Sequence, residues 1–283
     1  MATLVRIKKE IQFNGDLSAL LGTLRSIAAS QFHGLERRLQ PFDALTEAVR
    51  DCLSFLDLEH TMHPFVMPSQ APPAVVAVTS DSGLLGGLNV QVMNAAIGLL
   101  QQGGSGSLII VGERGCRYAR ERGYRPIAFP GIGDETRYVR AVELREYCVE
   151  QVLKGHLGAL SVVYPRALSF THQEVTTLPM IPCRAWAPRR AQPPVNALLE
   201  SSSEDLVEYL VACWMEQQFC EIFGTSRLAE LAARAVHLEG SSQELQRRGG
   251  RLRLEYFRSR REMIDRTMRE LATARISHGN RNC

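Results

Sequence analysis

Lysine is scarce: only three of the 33 basic residues are Lys and thirty are Arg, so arginine richness here is a habit of the whole chain. The net charge of +3 over 283 residues is too small for nucleic-acid binding to follow from composition. Long apolar runs are missing as well. No clean run, Ala74–Val78 included, approaches the ~20 residues a bilayer crossing requires. The first fifteen residues, MATLVRIKKEIQFNG, contain no extended apolar core and no small-residue cleavage site, which predicts no secretory signal. The seven Cys (52, 116, 148, 183, 213, 220, 283) are odd in number and form no C-x-x-C, a pattern expected of reduced thiols in a cytosolic compartment. With 22 Gly, 13 Pro and 45% apolar residues, the composition is ordinary and excludes disordered, collagenous and disulfide-scaffold chains. No G-x-S-x-G, H-E-x-x-H or kinase signature occurs.

What is present is a heptad at each end. Steps of three and four from Leu4 meet Ile7, Ile11, Asn14, Ser18, Leu21, Arg25, Ala28, Phe32, Leu35, Leu39, Phe42, Thr46, Val49, Leu53 and Leu56, mostly apolar, which predicts a coiled-coil helix. Gly15, Gly22, Gly34 and Pro41 weaken it, each Gly by about 1 kcal/mol, so it requires a partner. The C-terminal third supplies one: Leu228, Leu231, Ala235, Leu238, Ser242, Leu245, Gly249 and Leu252 follow the same stepping. A two-residue register slip at Gly249-Gly250 then continues it through Leu254, Phe257, Arg261, Ile264, Met268 and Leu271. Upstream, Glu204–Phe223 is also helix-compatible, with Leu206, Leu210, Cys213 and Phe223 as seam candidates and a break expected at Gly224. Residues 201–240 carry a net charge of −5 and residues 241–283 a net of +6, so the two stretches are expected to face different partners.

Between the heptads the period changes. Short β-rich runs at Ala74–Thr79, Ser107–Val111, Pro126–Phe129 and Ala159–Tyr164 alternate with helical stretches at Asn89–Gln102, Glu113–Arg122 and Thr136–Lys154. That is the α/β signature of a mostly parallel sheet, followed by polar strand-like text to Pro182. Pro-rich linkers are expected at Met67–Pro73 and Ala187–Pro194. The predicted fold is α/β with long helical extensions: an antiparallel two-helix coiled coil around a central Rossmann-like domain, divided at 1–66, 67–194 and 195–283.

The sharpest local motif is TSDSGLLGGLN at 79–89, between the first strand and a helix. Such turns cradle phosphates, but this one has no Lys and its Gly spacing fits neither G-x-G-x-x-G nor the P-loop. A structural turn is expected, with Asp81, Gly83, Gly86, Gly87 and Asn89 as its working residues. His60-x-x-His63 has the spacing of two ligands on one helix face, yet no third ligand follows; a helix end is the plainer reading. Cys213 and Cys220 read as small apolar packing. The late arginines from Arg247 to Arg269 are the best case for nucleic acid, set against interleaved acids.

Together these pieces resemble the gamma subunit family of F-type ATP synthases, the central rotor shaft. TSDSGLLGGLN is similar to that family's T-S-D-R-G-L-C-G-G-L-N. Leu24–Leu39 is similar to its N-terminal signature helix, Val163–Pro182 to its strand pair, and Ala229–Glu239 with Glu255–Glu270 to its C-terminal segments. Departures fall at Gln31 (commonly Lys), Ser82 (Arg), Leu85 (Cys), Phe257 (Asn) and Arg261 (Gln), and residues 276–283 lack the family's customary end. The resemblance implies a non-catalytic chain with no cofactor, no metal site and no nucleotide of its own. It implies partners in the alpha and beta subunits of the catalytic hexamer, the epsilon subunit and the membrane c-ring, without membrane insertion or nucleic acid, at the cytoplasmic face of a bacterial plasma membrane. Arg25, Arg260, Arg261, Arg266 and Arg269 are the expected partner-facing residues. Two other readings remain open at this point: a nucleotide-binding α/β enzyme with helical oligomerisation arms, and an arginine-rich helical nucleic-acid binder.

Overall fold

The computed structural model describes residues 2–39, 43–67, 70–104, 106–187 and 200–279. Pro41 and Phe42 of the first heptad, residues 68 and 69 of the front linker and 188–194 of the rear linker lie outside the described residues. The chain divides into two compact units, one made of the residues up to Ile27 with those from Ala235, the other of Ala28–Arg234.

Short continuous apolar runs build the larger unit. Strands β1 (Ala74–Val78), β2 (Ser107–Val111) and β3 (Ile127–Phe129) are parallel, and β4 (Leu160–Ala167) runs parallel to β1 on its other side. A fifth strand, β5 (Gln173–Ile181), returns antiparallel to β4, so the order is β3-β2-β1-β4-β5. All of β1 is buried, as expected for a parallel strand covered on both faces. Its odd residues Val75 and Ala77 pack with Val92, Met93 and Ala96 of α3 (Leu88–Gln102) and Cys116 and Ala119 of α4 (Glu113–Glu121). Its even residues Ala74, Val76 and Val78 face α5 (Arg137–Leu153), α2 (Asp43–Ser54) and the start of α6 (Ser203–Gly279). That second core holds the bulk: Leu53, Leu144, Trp214, Phe219 and Phe223 are all essentially buried.

Several expectations need correction. The N-terminal heptad is not one helix: α1 covers Ala2–Glu36, and Val49, Leu53 and Leu56 are buried from α2 and the chain just after it. Gly224 marks no break, because α6 passes straight through it. There a Cβ would meet Leu39 Cδ2 and Arg137, so this glycine serves close approach within a continuing helix. The buried face of early α6 overlaps the predicted one only in part: Phe223 is buried as expected, but Val207, Val211, Trp214 and Phe219 carry most of the rest, while Leu206, Leu210 and Cys213 are only half-buried.

In the other unit α1 and α6 run antiparallel. Asn14 Nδ2 donates to the Leu245 carbonyl at 2.6 Å, Ser18 Oγ lies 3.3 Å from Ser242 Oγ, and the Arg25 guanidinium meets the Glu239 carboxylate. As the α1 number rises, the α6 number falls. Here too the sequence reading needs amending, since no register slip follows Gly249-Gly250. Beyond Leu252 the less exposed positions are Tyr256, Ser259 and Met263, which simply continue the original stepping. Gly249 permits this, because a Cβ there would sit 3.0 Å from Asn14 Nδ2. Leu254, Phe257, Ile264, Met268 and Leu271, expected in the seam, are 47–73% exposed.

Candidate functional site

The 79–89 turn sits at the carboxyl end of β1, beside the point where the sheet order reverses between β1 and β4. In open α/β sheets that crevice is where ligands bind. Here its polar groups are committed to the chain itself. Thr79 Oγ1 donates to the Val111 carbonyl at 2.8 Å and accepts from the Gly115 amide at 3.1 Å. Asn89 bridges back to Ser80, accepting from its amide at 3.2 Å and donating to its hydroxyl at 2.9 Å. Asp81 Oδ1 accepts from the Glu113 amide at 2.8 Å, the first residue of α4. A carboxylate of the turn therefore occupies the N-terminus of the neighbouring helix α4, where it would repel an anionic ligand. Gly86 adopts φ 59°, Gly87 precedes α3, and Gly83 lies beside the Arg114 guanidinium.

The crevice itself is filled by protein. Ala229 and Ala233 of α6 pack against Leu85 and Leu88 of the turn and Ala167 at the end of β4. Nearby, Phe32 packs with Leu231 and Ala232, and Phe170 of the β4–β5 tip stands edge-on to Phe32 at 5.0 Å. The small residues on α6 let the helix approach closely where a ligand would otherwise lie.

Metal and redox chemistry find little support in the remaining candidates. His60 and His63 do not share a helix face, since α2 ends at Ser54. His60 is exposed and pairs with Asp57 at 2.9 Å; His63 is buried, accepts from the Phe65 amide at 3.2 Å and lies 3.6 Å from Glu208. Among the described residues no group of three or more His, Cys, Asp or Glu gathers as a metal centre. Cys213 and Cys220 are free thiols, half-buried and buried. Burial pushes Cys148 up to about 12 and Cys183 up to about 11, so both are neutral and poor nucleophiles near neutral pH.

The paired-helix unit has the opposite character. Its seam is partly polar, and a groove of about 470 Å³ opens where Gly15, Ala19 and Gly22 face Ser242 and Gln246. Glu239 is held below its ordinary range by a hydrogen bond from Gln243 and then by Arg25. Of the arginines singled out by the sequence, Arg25 is thus engaged between the helices, and Arg266 pairs with Glu270 at 2.9 Å on its own helix. Arg260, Arg261 and Arg269 are exposed. They lie among Leu254, Phe257, Ile264, Met268 and Leu271, whose steps of three, seven, four and three keep them on one side of α6. The sequence reading placed that stripe in the seam; an unbroken count from Leu252 would have located it on the outside. It also passed over Arg227, Glu230 and Arg234, which it took only as part of a segment's net charge.

A mostly parallel sheet whose crevice is filled by its own helix, and a helix pair with an exposed apolar stripe, are features that fit a subunit of a larger assembly. The chain belongs to the ATP synthase family, whose model matches residues 3–275, and within it to the gamma chains. It is 24% identical over 274 residues to the ATP synthase gamma chain of Clostridium acetobutylicum, covering 95% of this chain and 96% of that one. With the gamma chain of Chloroherpeton thalassium it shares 25% over 294 residues, 96% of each chain. In fold it matches a chain of the Euglena gracilis mitochondrial ATP synthase OSCP/F1/c-ring structure, with TM-score 0.69 over 100% of this chain and 97% of that one, at 15% identity. A chain of the Tetrahymena thermophila mitochondrial central stalk and c-ring gives TM-score 0.58 over 79% of this chain and 99% of that one, at 18% identity. Among the described residues no helix is long and apolar enough to cross a membrane.

Proposed function

We propose that this chain is the rotating central shaft of a bacterial F-type ATP synthase, peripheral to the cytoplasmic face of the plasma membrane. Its helix pair turns inside the hexamer of alpha and beta subunits, and its α/β unit rests with the epsilon subunit on the c-ring. The observation that carries the proposal is the antiparallel pairing of the two chain ends with a second, outward apolar stripe left over. A lone helix of this composition would fray; two paired helices resist twisting. The stripe at Leu254, Phe257, Ile264, Met268 and Leu271 supplies a surface that a surrounding sleeve can cover, and Arg260, Arg261, Arg266 and Arg269 supply charge on the same stretch. Because that surface differs from side to side, each of three identical catalytic sites meets a different face of it. A coupling element must contact the states of its partner differently, since otherwise it shifts nothing.

The test is to assemble the chain with the alpha and beta subunits and measure ATP hydrolysis by the hexamer with and without it. Hydrolysis should depend on the chain, and deletion of residues 265–283 should weaken ATP-driven ion pumping. Full hydrolysis without the chain, or undiminished pumping by the truncation, overturns the proposal. The enzyme alternative is disfavoured by Asp81 at the α4 N-terminus and by α6 in the crevice. Saturable nucleotide binding by the isolated chain would revive it. Steeply salt-dependent binding to DNA or RNA would revive the nucleic-acid alternative.

A further inference from the structure

Within the α/β unit, α6 changes how it is held. Up to Phe223 it is gripped by size: Trp214, Phe219 and Phe223 interlock with the second core. After Gly224 the buried apolar side chains facing the strand ends are mostly small, Ala229, Ala232 and Ala233, with Leu231 against Phe32 the one large member, so shape alone grips the helix less firmly there. On the same stretch lies a chain of charges. Arg227 Nε donates to Asp134 Oδ1 of the β3–α5 loop at 3.0 Å, and its Nη1 to Glu230 Oε2 at 2.9 Å. Arg234 Nη2 donates to Ser82 Oγ in the 79–89 turn at 2.9 Å. Glu230 is only 5% exposed, with Arg227, Arg234 and Asp81 as its charged neighbours. One face of α6, at steps of three and four, is therefore bonded to two separate loops through two arginines with a buried carboxylate between them.

Burying an ion pair is a poor way to gain stability, since apolar replacements often do as well. What directional, charge-assisted bonds add is resistance to rotation about the helix axis, which alanine contacts lack. We infer that Arg227, Glu230 and Arg234 are positioning residues that key α6 against the loops after β1 and β3, so that torque passes between this helix and the α/β unit without slip. The inference rests on the rotor function proposed above.

The experiment uses the complete membrane-bound complex carrying Arg227→Ala or Glu230→Gln, with ATP hydrolysis and ATP-driven ion pumping measured on the same vesicles. Asp134→Asn, on the exposed loop, serves as the third variant should the inner two assemble poorly. The expected result is hydrolysis near the wild-type rate with ions pumped per ATP reduced by about 5-fold or more. A scaffolding role would lower both rates in parallel with the amount of assembled complex. An unchanged pumping-to-hydrolysis ratio in the variants overturns the key, whatever the absolute rates. Failure of the wild-type chain to couple hydrolysis to pumping would instead overturn the rotor proposal, so the two failures are distinguishable.

Discussion

The same helix, α6, is fixed by bulk in one unit and by pairing in the other. Among residues 203–234 it buries Val207, Val211, Trp214, Met215, Phe219 and Phe223 in a large apolar core. Among residues 235–272 its seam is spare: Leu238, Gly249 and Leu252 are buried, Ser242 and Leu245 half-buried, and polar Asn14 of α1 is enclosed with them. Larger apolar side chains in that stretch point outward. A region that keeps its apolar residues inside is complete by itself, whereas one that leaves them outside is built to be covered. The contrast separates residues that hold the fold from residues that hold a partner, and substitutions should fall on either side of it.

The largest effect belongs to the α/β core. Phe219→Ala removes a fully buried ring and should cost about 3–5 kcal/mol, read by urea unfolding of the purified chain. The stacked pair Trp186 and Trp214, the only two tryptophans, have ring centroids 3.7 Å apart and report the same core. Their exciton signal in circular dichroism should vanish along with it.

Next come glycines, where one substitution has opposite signs in the two regions. Gly112 adopts φ 99° and a Cβ there would overlap the Thr79 carbonyl, so Gly112→Ala should destabilise by roughly 1–3 kcal/mol from strain alone. At Gly250 of α6 a Cβ meets nothing within 4 Å, and Gly250→Ala should stabilise by about 1 kcal/mol through helix propensity. Thermal melts of the two variants read both. Equal signs would show that the comparison between the regions is wrong.

Much of this was legible beforehand. Strand and helix positions from Ala74 to Ala167 follow the expected alternation of elements closely, because short continuous apolar runs separated by helix-period stretches leave few other solutions for a sheet covered on both faces. The N-terminal heptad also reads well: of its described members from Leu4 to Leu56 only Arg25 is exposed, and it is ion-paired. The errors cluster where side-chain size misleads. At Leu254 and Phe257 apolarity was taken for burial, although the unbroken count through Tyr256 and Ser259 left those residues outside. Gly224 reads as a terminator because glycine is costly in a helix; its use for close approach to Leu39 is a tertiary fact. The Arg227–Glu230–Arg234 cluster stayed hidden for the same reason, since its partners Asp134 and Ser82 lie 93 and 152 residues away.

Within the helix pair, Asn14→Ala removes a part-buried hydrogen bond to the Leu245 carbonyl and should cost about 1 kcal/mol, measured by chemical unfolding. Leu254→Ser combined with Phe257→Ser should leave the stability of the isolated chain nearly unchanged while weakening its retention by the alpha–beta hexamer on size exclusion. An unfolding loss comparable to that of Phe219→Ala would mean the stripe belongs to the fold after all.

The smallest effect is the Arg25–Glu239 pair, and pH gives its sign. Glu239 titrates below its ordinary value of 4.5 in the folded chain, held there by Gln243 and Arg25. Its contribution is therefore present above that value and is lost as pH falls through the lowered folded one, where the native carboxylate must take up a proton. Glu239→Gln should flatten this acid limb of a melting-temperature profile slightly. Because the pair is exposed, about 1 M salt should erase most of the difference between wild type and variant at neutral pH. A difference that survived high salt would mean that the contact is shielded from solvent, and the helix pair would then resemble the α/β core more than its spare seam indicates.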